Sequence, residues 1–276
     1  MHRFINIRFS QLTYMLVLLM ILLSYSCTKD PLGCIKSTGP ITTEIRDLDY
    51  FNAVLLTHNI DVTFIETSDP SEHRIEITAG KNLLGKIRTE IEQYVLIIPG
   101  DTITNTPSIV DTLERITISS DNQCNWVRSY EKPIEAKVYY SEIRHMEYRS
   151  IGNVIFQDTI RVNNFRIDIH EGSGNIDLLL NTNNSFLAFH YGTAELIASG
   201  FSNINYLYQA SFGRIHAEDL ITDFTYMENR STNDTYVYAI SHLGVTISAT
   251  GNVYYGGNPP SISLNRNGSG RLIQLD

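Results

Sequence analysis

His170 and His190 stand twenty residues apart, each two positions ahead of a glycine, Gly172 and Gly192. Imidazoles on matching positions of a repeating chain could share a transition metal or report pH. As rungs of a surface ladder they would do neither. Asp168, Glu171 and Asp177 lie close by in the chain. Carboxylate groups of this kind serve polysaccharide lyases and hydrolases as calcium ligands or acid/base pairs, with an Arg or Lys base on the same strand face. The nearby cations Arg161, Arg166, Arg214 and Arg230 form no evident cluster with them. The three acids therefore read as solvated outer positions. No nucleophile elbow, phosphate loop or HExxH pattern occurs, and no CxxC or Cys/His spacing suggests zinc. The expectation is a chain without catalysis, metal or cofactor.

Tyrosine is the one enrichment, with 16 residues. Tyr206 with Tyr208, Tyr236 with Tyr238, and Tyr254 with Tyr255 fall late in the chain. An exposed aromatic stripe suits stacking against sugars or a protein partner. Tyrosine also favours strands for its own sake, so plain sheet decoration is the competing reading.

Strands must position these residues. Period-two alternation recurs in IDVTFIE (60–66), HRIEITA, YVLIIP and IEAKVYY, all rich in β-branched and aromatic types. Helical spacing is confined to KNLLGKIRTEI (81–91), where Gly85 interrupts it and a strand fits as well. From about residue 141 glycine turns recur, each followed by an apolar residue: Gly152, Gly174, Gly192, Gly213, Gly251 and Gly270. The intervals are 22, 18, 21, 38 and 19 residues. The long one spans two periods, its missing turn falling at Asn233-Asp234, which can take a left-handed conformation in place of glycine. Such a period marks stacked coils rather than a sandwich. The turn is expected to need positive φ, and coils about 4.8 Å apart leave its backbone no room for side chains. The alternation aims Ile167, Ile169, Ile176, Leu178, Leu180, Leu196, Ile215 and Ala217 inward, and Asp168, Asp177, Glu195 and His216 outward. Hairpin turns of an antiparallel sheet are the alternative use of these glycines.

The ends set the compartment. MHRFINIRFSQLTYMLVLLMILLSYSC has a basic start and an apolar run of roughly ten residues, the size of a signal-peptide core and too short to span a bilayer. Cys27 follows Ser24 and Ser26 and is the expected lipidated first residue of the mature chain, the segment resembling a bacterial lipoprotein signal. Residues 1–26 are thus a leader and 27–45 a tether of Gly, Pro, Ser and Lys composition. Cys34 and Cys124 then remain as an even pair in an oxidising compartment, either bridged or two free thiols. An N-terminal β region covers 46–140, with a polar insertion at 100–132 that holds one short strand at Glu114 to Ser119. A glycine-turn solenoid covers 141–276, or 46–276 is one continuous domain. The net charge of −9 argues against a nucleic-acid partner, which wants a basic face.

Residues 47–275 resemble a known family, the putative auto-transporter adhesin, head GIN domain proteins, exported lipoproteins of Bacteroidota. The resemblance rests on LDYFNAVLLTHNIDVTFIE, AGKNLLGKIRTEIEQYVLII, the turns EGSGNIDL and NGSGRL, and GNVYYGGNPP, where Gly251, Tyr255, Gly257 and Pro259 match a Gly-x-x-x-Tyr-x-Gly-x-Pro signature. The other turns read IGN, YGT, FGR and TGN, a departure from the family's GSG. The resemblance implies an extracytoplasmic β-helix-like fold with an adhesion or surface role and no established catalysis. Asp101-Thr102-Ile103, Asp111-Thr112-Leu113 and Asp158-Thr159-Ile160 also resemble the O-glycosylation sequon of these bacteria. The expected fold is all-β, a right-handed parallel β-helix-like solenoid. The expected protein is a lipid-anchored adhesin or binding module of the outer membrane, on its periplasmic face or at the cell surface, with a glycan or protein ligand. A carbohydrate-active β-helix enzyme and a structural envelope protein assembling edge to edge are the alternatives.

Overall fold

The computed structural model describes residues 38–98, 109–120 and 134–275. Cys27, Cys34, Cys124 and Asp101-Thr102-Ile103 lie outside the described residues. The fold is nearly all β, 69% strand and 3% helix, wound as a β-solenoid of about six turns. The alternating patterns produce this directly, because a strand with one apolar face must bury that face against its neighbours.

Two parallel ladders carry the coils. The first runs from β6 (Ile109–Ser120) through β2 (Ala53–His58) and β8 (His145–Ser150) to the second half of β10 (Ile160–Gly172). It continues through the second halves of β11 (Asn175–Phe189), β12 (Glu195–Gln209) and β13 (Arg214–Asn229) to β15 (His242–Ile247) and β17 (Ser261–Arg266). The second ladder joins β7 (Ile134–Tyr140), β3 (Ile60–Glu66), β9 (Val154–Phe156) and the first halves of β11, β12 and β13. It ends in β14 (Thr235–Tyr238), β16 (Val253–Gly256) and β18 (Leu272–Gln274). At the N-terminal end the pairing turns antiparallel: β4 (Arg74–Gly80) lies between β1 (Ile41–Asp47) and β7, and β5 (Ile87–Ile98) forms a hairpin with β6. β1 begins inside the stretch read as tether, and β6 is twice the length of the strand read within the polar insertion. The helical spacing at 81–91 resolves into one turn, α1 (Lys81–Leu84), followed by β5.

Between the two faces the chain turns at a tight corner on one side and bends within continuous strands on the other. The tight corner explains the glycines, with two corrections. Strand registers place Gly152, Gly174, Ala194, Gly213, Asn233, Gly251 and Gly270 on one stacked row. Gly192 therefore belongs to another row, above Gly172, and the true intervals are nearly even. The row glycines also do not need positive φ. Left-handed glycines are Gly39, Gly172, Gly192, Gly200 and Gly257, and His58 is the single described non-glycine residue of that kind, so Asn233 is not left-handed. What the row requires is space: a Cβ on Gly174 would lie 2.1 Å from the Gly152 carbonyl oxygen, and one on Gly251 2.0 Å from that of Asn233. The corner carbonyls are held from inside by long side chains. Tyr148 donates to Gly152 (2.7 Å), Gln209 to Gly213 (2.8 Å) and Asn229 to Gly251 (3.2 Å).

The opposite bend carries a buried polar ladder, Thr182, Ser185, Ser202, Asn205, Thr222 and Thr225. A bent strand exposes backbone groups to the interior, and these side chains satisfy them. Ser202 donates to the Ile204 carbonyl, and Thr225 to that of Tyr238. Between the polar groups of the bend and the corner the interior is mostly apolar. Ile167, Ile169, Ile176, Leu178, Leu180, Leu196, Ile215 and Ala217 are all buried. Each large aliphatic side chain so placed contributes roughly 1.5–3 kcal/mol.

Candidate functional site

Two outward rows on the first ladder gather the chemistry of the molecule. One row reads Ala53, His145, Arg166, Phe186, Tyr206, Tyr226, Gly244, Ser263 along the coil axis. The other reads Leu55, Glu147, Asp168, Ala188, Tyr208, Glu228, Thr246, Asn265. The N-terminal ends of these rows are roofed by the β5–β6 hairpin. Leu96 and Leu113 bury Ala53, and Tyr94 and Phe186 pack against that cluster. Tyr94 stacks on His145 at 5.6 Å with 9° between planes, and the Arg115 guanidinium lies 4.3 Å over the Tyr94 ring.

Under this roof Asp168 is only 6% exposed, although its position on the strand faces outward. The expectation of a solvated carboxylate fails because Arg166, His145 and His190 close around it, with Tyr94 of the hairpin stacked on His145. Arg166 grips it with Nε at 2.5 Å and Nη2 at 2.6 Å, while His145 Nε2 and His190 Nε2 approach at 3.0 and 3.1 Å. Burial alone would raise its pKa, but these hydrogen bonds outweigh burial and hold the carboxyl well below the usual carboxylate range. His170 and His190 stack at 4.3 Å, and burial followed by the neighbouring His190 lowers the His170 pKa. Ligand atoms of Asp168, His170 and His190 lie within 4.8 Å of one another. Arg166 spans both Asp168 oxygens and His190 bonds one of them, while His170 joins the group through its stack on His190. The His170 and His190 planes differ by only 10°, and stacked rings cannot both hold one ion in their planes. Glu171 is exposed, 4.0 Å from Arg149, and Asp177 lies on the other face.

Beyond the roof the rows open into a groove of about 850 Å³, within the usual range for ligand sites. Its spine is an aromatic ladder: Phe186 to Tyr206 is 4.9 Å at 7°, and Tyr206 to Tyr226 is 5.5 Å at 18°. Tyr208, Glu228, Thr246 and Asn265 border one side and His242 the other. The six tyrosines singled out in the sequence divide. Tyr206 and Tyr208 line the groove. Tyr236 and Tyr254 continue a second ladder on the other face, stacked on His216 at spacings of 5.0 Å. Tyr238 lies against Gly256, and Tyr255 is buried, its hydroxyl 3.4 Å from Gln274. Phe186 and Tyr226 escaped the sequence reading, yet with Tyr206 they recur every twenty residues, the coil period itself. Of the Asp-Thr-apolar tripeptides, Asp111 pairs with Arg144, and Asp158 accepts the Glu66 amide.

No curated protein matches the chain. Solved structures do. A putative adhesin of Bacteroides fragilis NCTC 9343 superposes with a TM-score of 0.71 at 16% identity, covering 86% of this chain and 97% of that one. A putative lipid binding protein of Parabacteroides distasonis ATCC 8503 gives 0.64 at 18%, covering 86% and 98%. A putative adhesin of Parabacteroides merdae ATCC 43184 gives 0.57 at 15%, covering 88% and 99%. At such identities the likeness is one of fold. The sequence itself matches a family model over residues 50–259, most of the solenoid, and the chain belongs to the family described as "Putative auto-transporter adhesin, head GIN domain".

Proposed function

We propose that this protein is a non-catalytic binding module of the cell envelope, anchored by a lipid on Cys27 and presenting the groove of the first ladder to its ligand. The groove carries the reading: an open, aromatic-lined trough in which the charged side chains are already paired. Arg166 is committed to Asp168 and Glu228 to Arg230, so the lining offers recognition surface rather than a poised acid or base. Family membership supports an adhesin-like role, and the negative net charge disfavours nucleic acid. No described helix is long and apolar enough to cross a membrane. The shared fold with a putative lipid binding protein of Parabacteroides distasonis makes lipid the second ligand class to test, after glycans and proteins.

The deciding experiment compares wild type with Tyr208→Ala on arrays of glycans and surface proteins and on lipid vesicles. Saturable binding that falls roughly tenfold in the variant supports the groove. Binding indifferent to Tyr208, or product release from a polysaccharide, overturns the reading. Metabolic labelling with a palmitate analogue tests the anchor: wild type takes up label and Cys27→Ser does not.

A further inference from the structure

The aromatic ladder ends one rung early. After Phe186, Tyr206 and Tyr226 the next coil supplies Gly244 and the one after it Ser263. Gly244 is not left-handed, so its backbone could carry any residue. Its bareness lets neighbouring rings close over it instead. A Cβ there would lie 3.0 Å from Tyr226 Cδ1 and 3.5 Å from His242 Nε2, so both groups lean over the site. Beyond these rings the groove ends in a recess lined by Gly244, Ser263 and Asn265. It is walled at one end by Tyr226, the last rung of the ladder, with the His242 ring tilted 46° beside it at 5.6 Å. Phe186 and Tyr206 spend their faces on each other.

We propose that this recess takes one ring of a neutral glycan, stacked on Tyr226 beside Gly244 and hydrogen-bonded at its edges; the proposal rests on the groove being the ligand site. Polar groups border it beside the apolar Leu264. His242 Nδ1 is engaged with Ser261 Oγ at 2.9 Å, which turns Nε2 over the glycine, and Thr246, Ser263 and Asn265 complete the border. A hydroxylated ring meets both demands, apolar C–H groups on the aromatic face and hydroxyls on the rim. An acyl chain would leave those rim groups without partners. An anion would find the groove's Arg166 already committed to Asp168.

The test measures binding of immobilised neutral oligosaccharides by wild type, Gly244→Phe, Tyr226→Leu, Tyr208→Ala and, on the other face, Tyr236→Ala, with circular dichroism reporting the fold. Gly244→Phe supplies the missing rung from within. The expected result is a loss of roughly tenfold or more in Gly244→Phe and Tyr226→Leu, with Tyr236→Ala unchanged. Glycan binding that survives Gly244→Phe but is lost in Tyr208→Ala overturns the recess and leaves the groove. Binding only of phosphatidylcholine vesicles or surface proteins, dependent on Tyr208, overturns the sugar and leaves the groove. No Tyr208-dependent binding of any probe overturns both.

Discussion

Gly174 and Gly85 show how differently one residue type can matter. A methyl on Gly174 would sit 2.1 Å from the Gly152 carbonyl and 2.4 Å from the Tyr148 hydroxyl, whereas Gly85 has nothing within 4 Å of the same position. Gly174→Ala is therefore expected to cost about 3 kcal/mol or more in urea unfolding, through forced separation of two coils. Gly85→Ala should be neutral or stabilising by up to about 1 kcal/mol. The titrating residues divide as clearly. Asp168 has a depressed pKa when folded, so its contribution is complete above its unfolded value near 3.9 and is lost as pH falls further. His73 and His170 are also depressed, each mainly by burial. The unfolded chain takes up their protons first, so their contribution is complete above about pH 6.5 and is lost below it. Unfolding midpoints measured from pH 8 to 3 should thus descend in two stages. Asp168→Asn should flatten the lower stage and cost about 3 kcal/mol at pH 7, by stranding Arg166 and two histidines. His73 is buried beside Tyr50 and Phe51, and neither ring nitrogen has a described partner. His73→Leu should shrink the upper stage to the share of His170 without loss at pH 8.

At the level of elements, the interior bend makes a demand of its own, for polar side chains rather than for room. Ser202 Oγ lies 3.1 Å from Thr182 Oγ1 and 3.0 Å from Ser185 Oγ while donating to the Ile204 carbonyl. Ser202→Ala should cost about 1–3 kcal/mol, seen as a lower urea midpoint, because the Thr182 and Ser185 hydroxyls of the preceding coil lose a partner. This bend also marks where the sequence stops being readable. The tight corners show as Gly152, Gly174, Gly213, Gly251 and Gly270, because carbonyl contact excludes bulk there. The bend lies inside uninterrupted strands such as Asn175–Phe189, whose Ser and Thr pass for ordinary outward residues. Ala194 and Asn233 take corner positions without glycine, which made Gly192 look like a member of the wrong row. The groove was half legible. Tyr206 and Tyr208 stood out as a close pair, whereas the rung of Phe186, Tyr206 and Tyr226 exists only at coil spacing. Asp168 was misjudged because alternation says which way a side chain points and not which neighbours close around it.

At the scale of the whole solenoid, the two ends of the described residues differ. The N-terminal coils are backed by antiparallel β1, β4 and β5, while β17 is exposed along its whole length, with Ile262 44% and Leu264 48% accessible. Each coil is supported by its neighbours, so the last should open first. Hydrogen exchange is expected to be fastest in β17 and β18 and slowest through β10 to β12. An even profile along the axis would contradict this ordering. Sequential coils meet through matching rows rather than through their connecting loops, which has a consequence for how such a protein can change. Copying one coil between Tyr206 and Tyr226 would insert a rung and lengthen the trough by about 4.8 Å, while both ends kept their own neighbours. Reach in this molecule is therefore a whole number. A lineage that needed a longer grip could acquire it by duplication, one stride at a time, without redesigning either terminus.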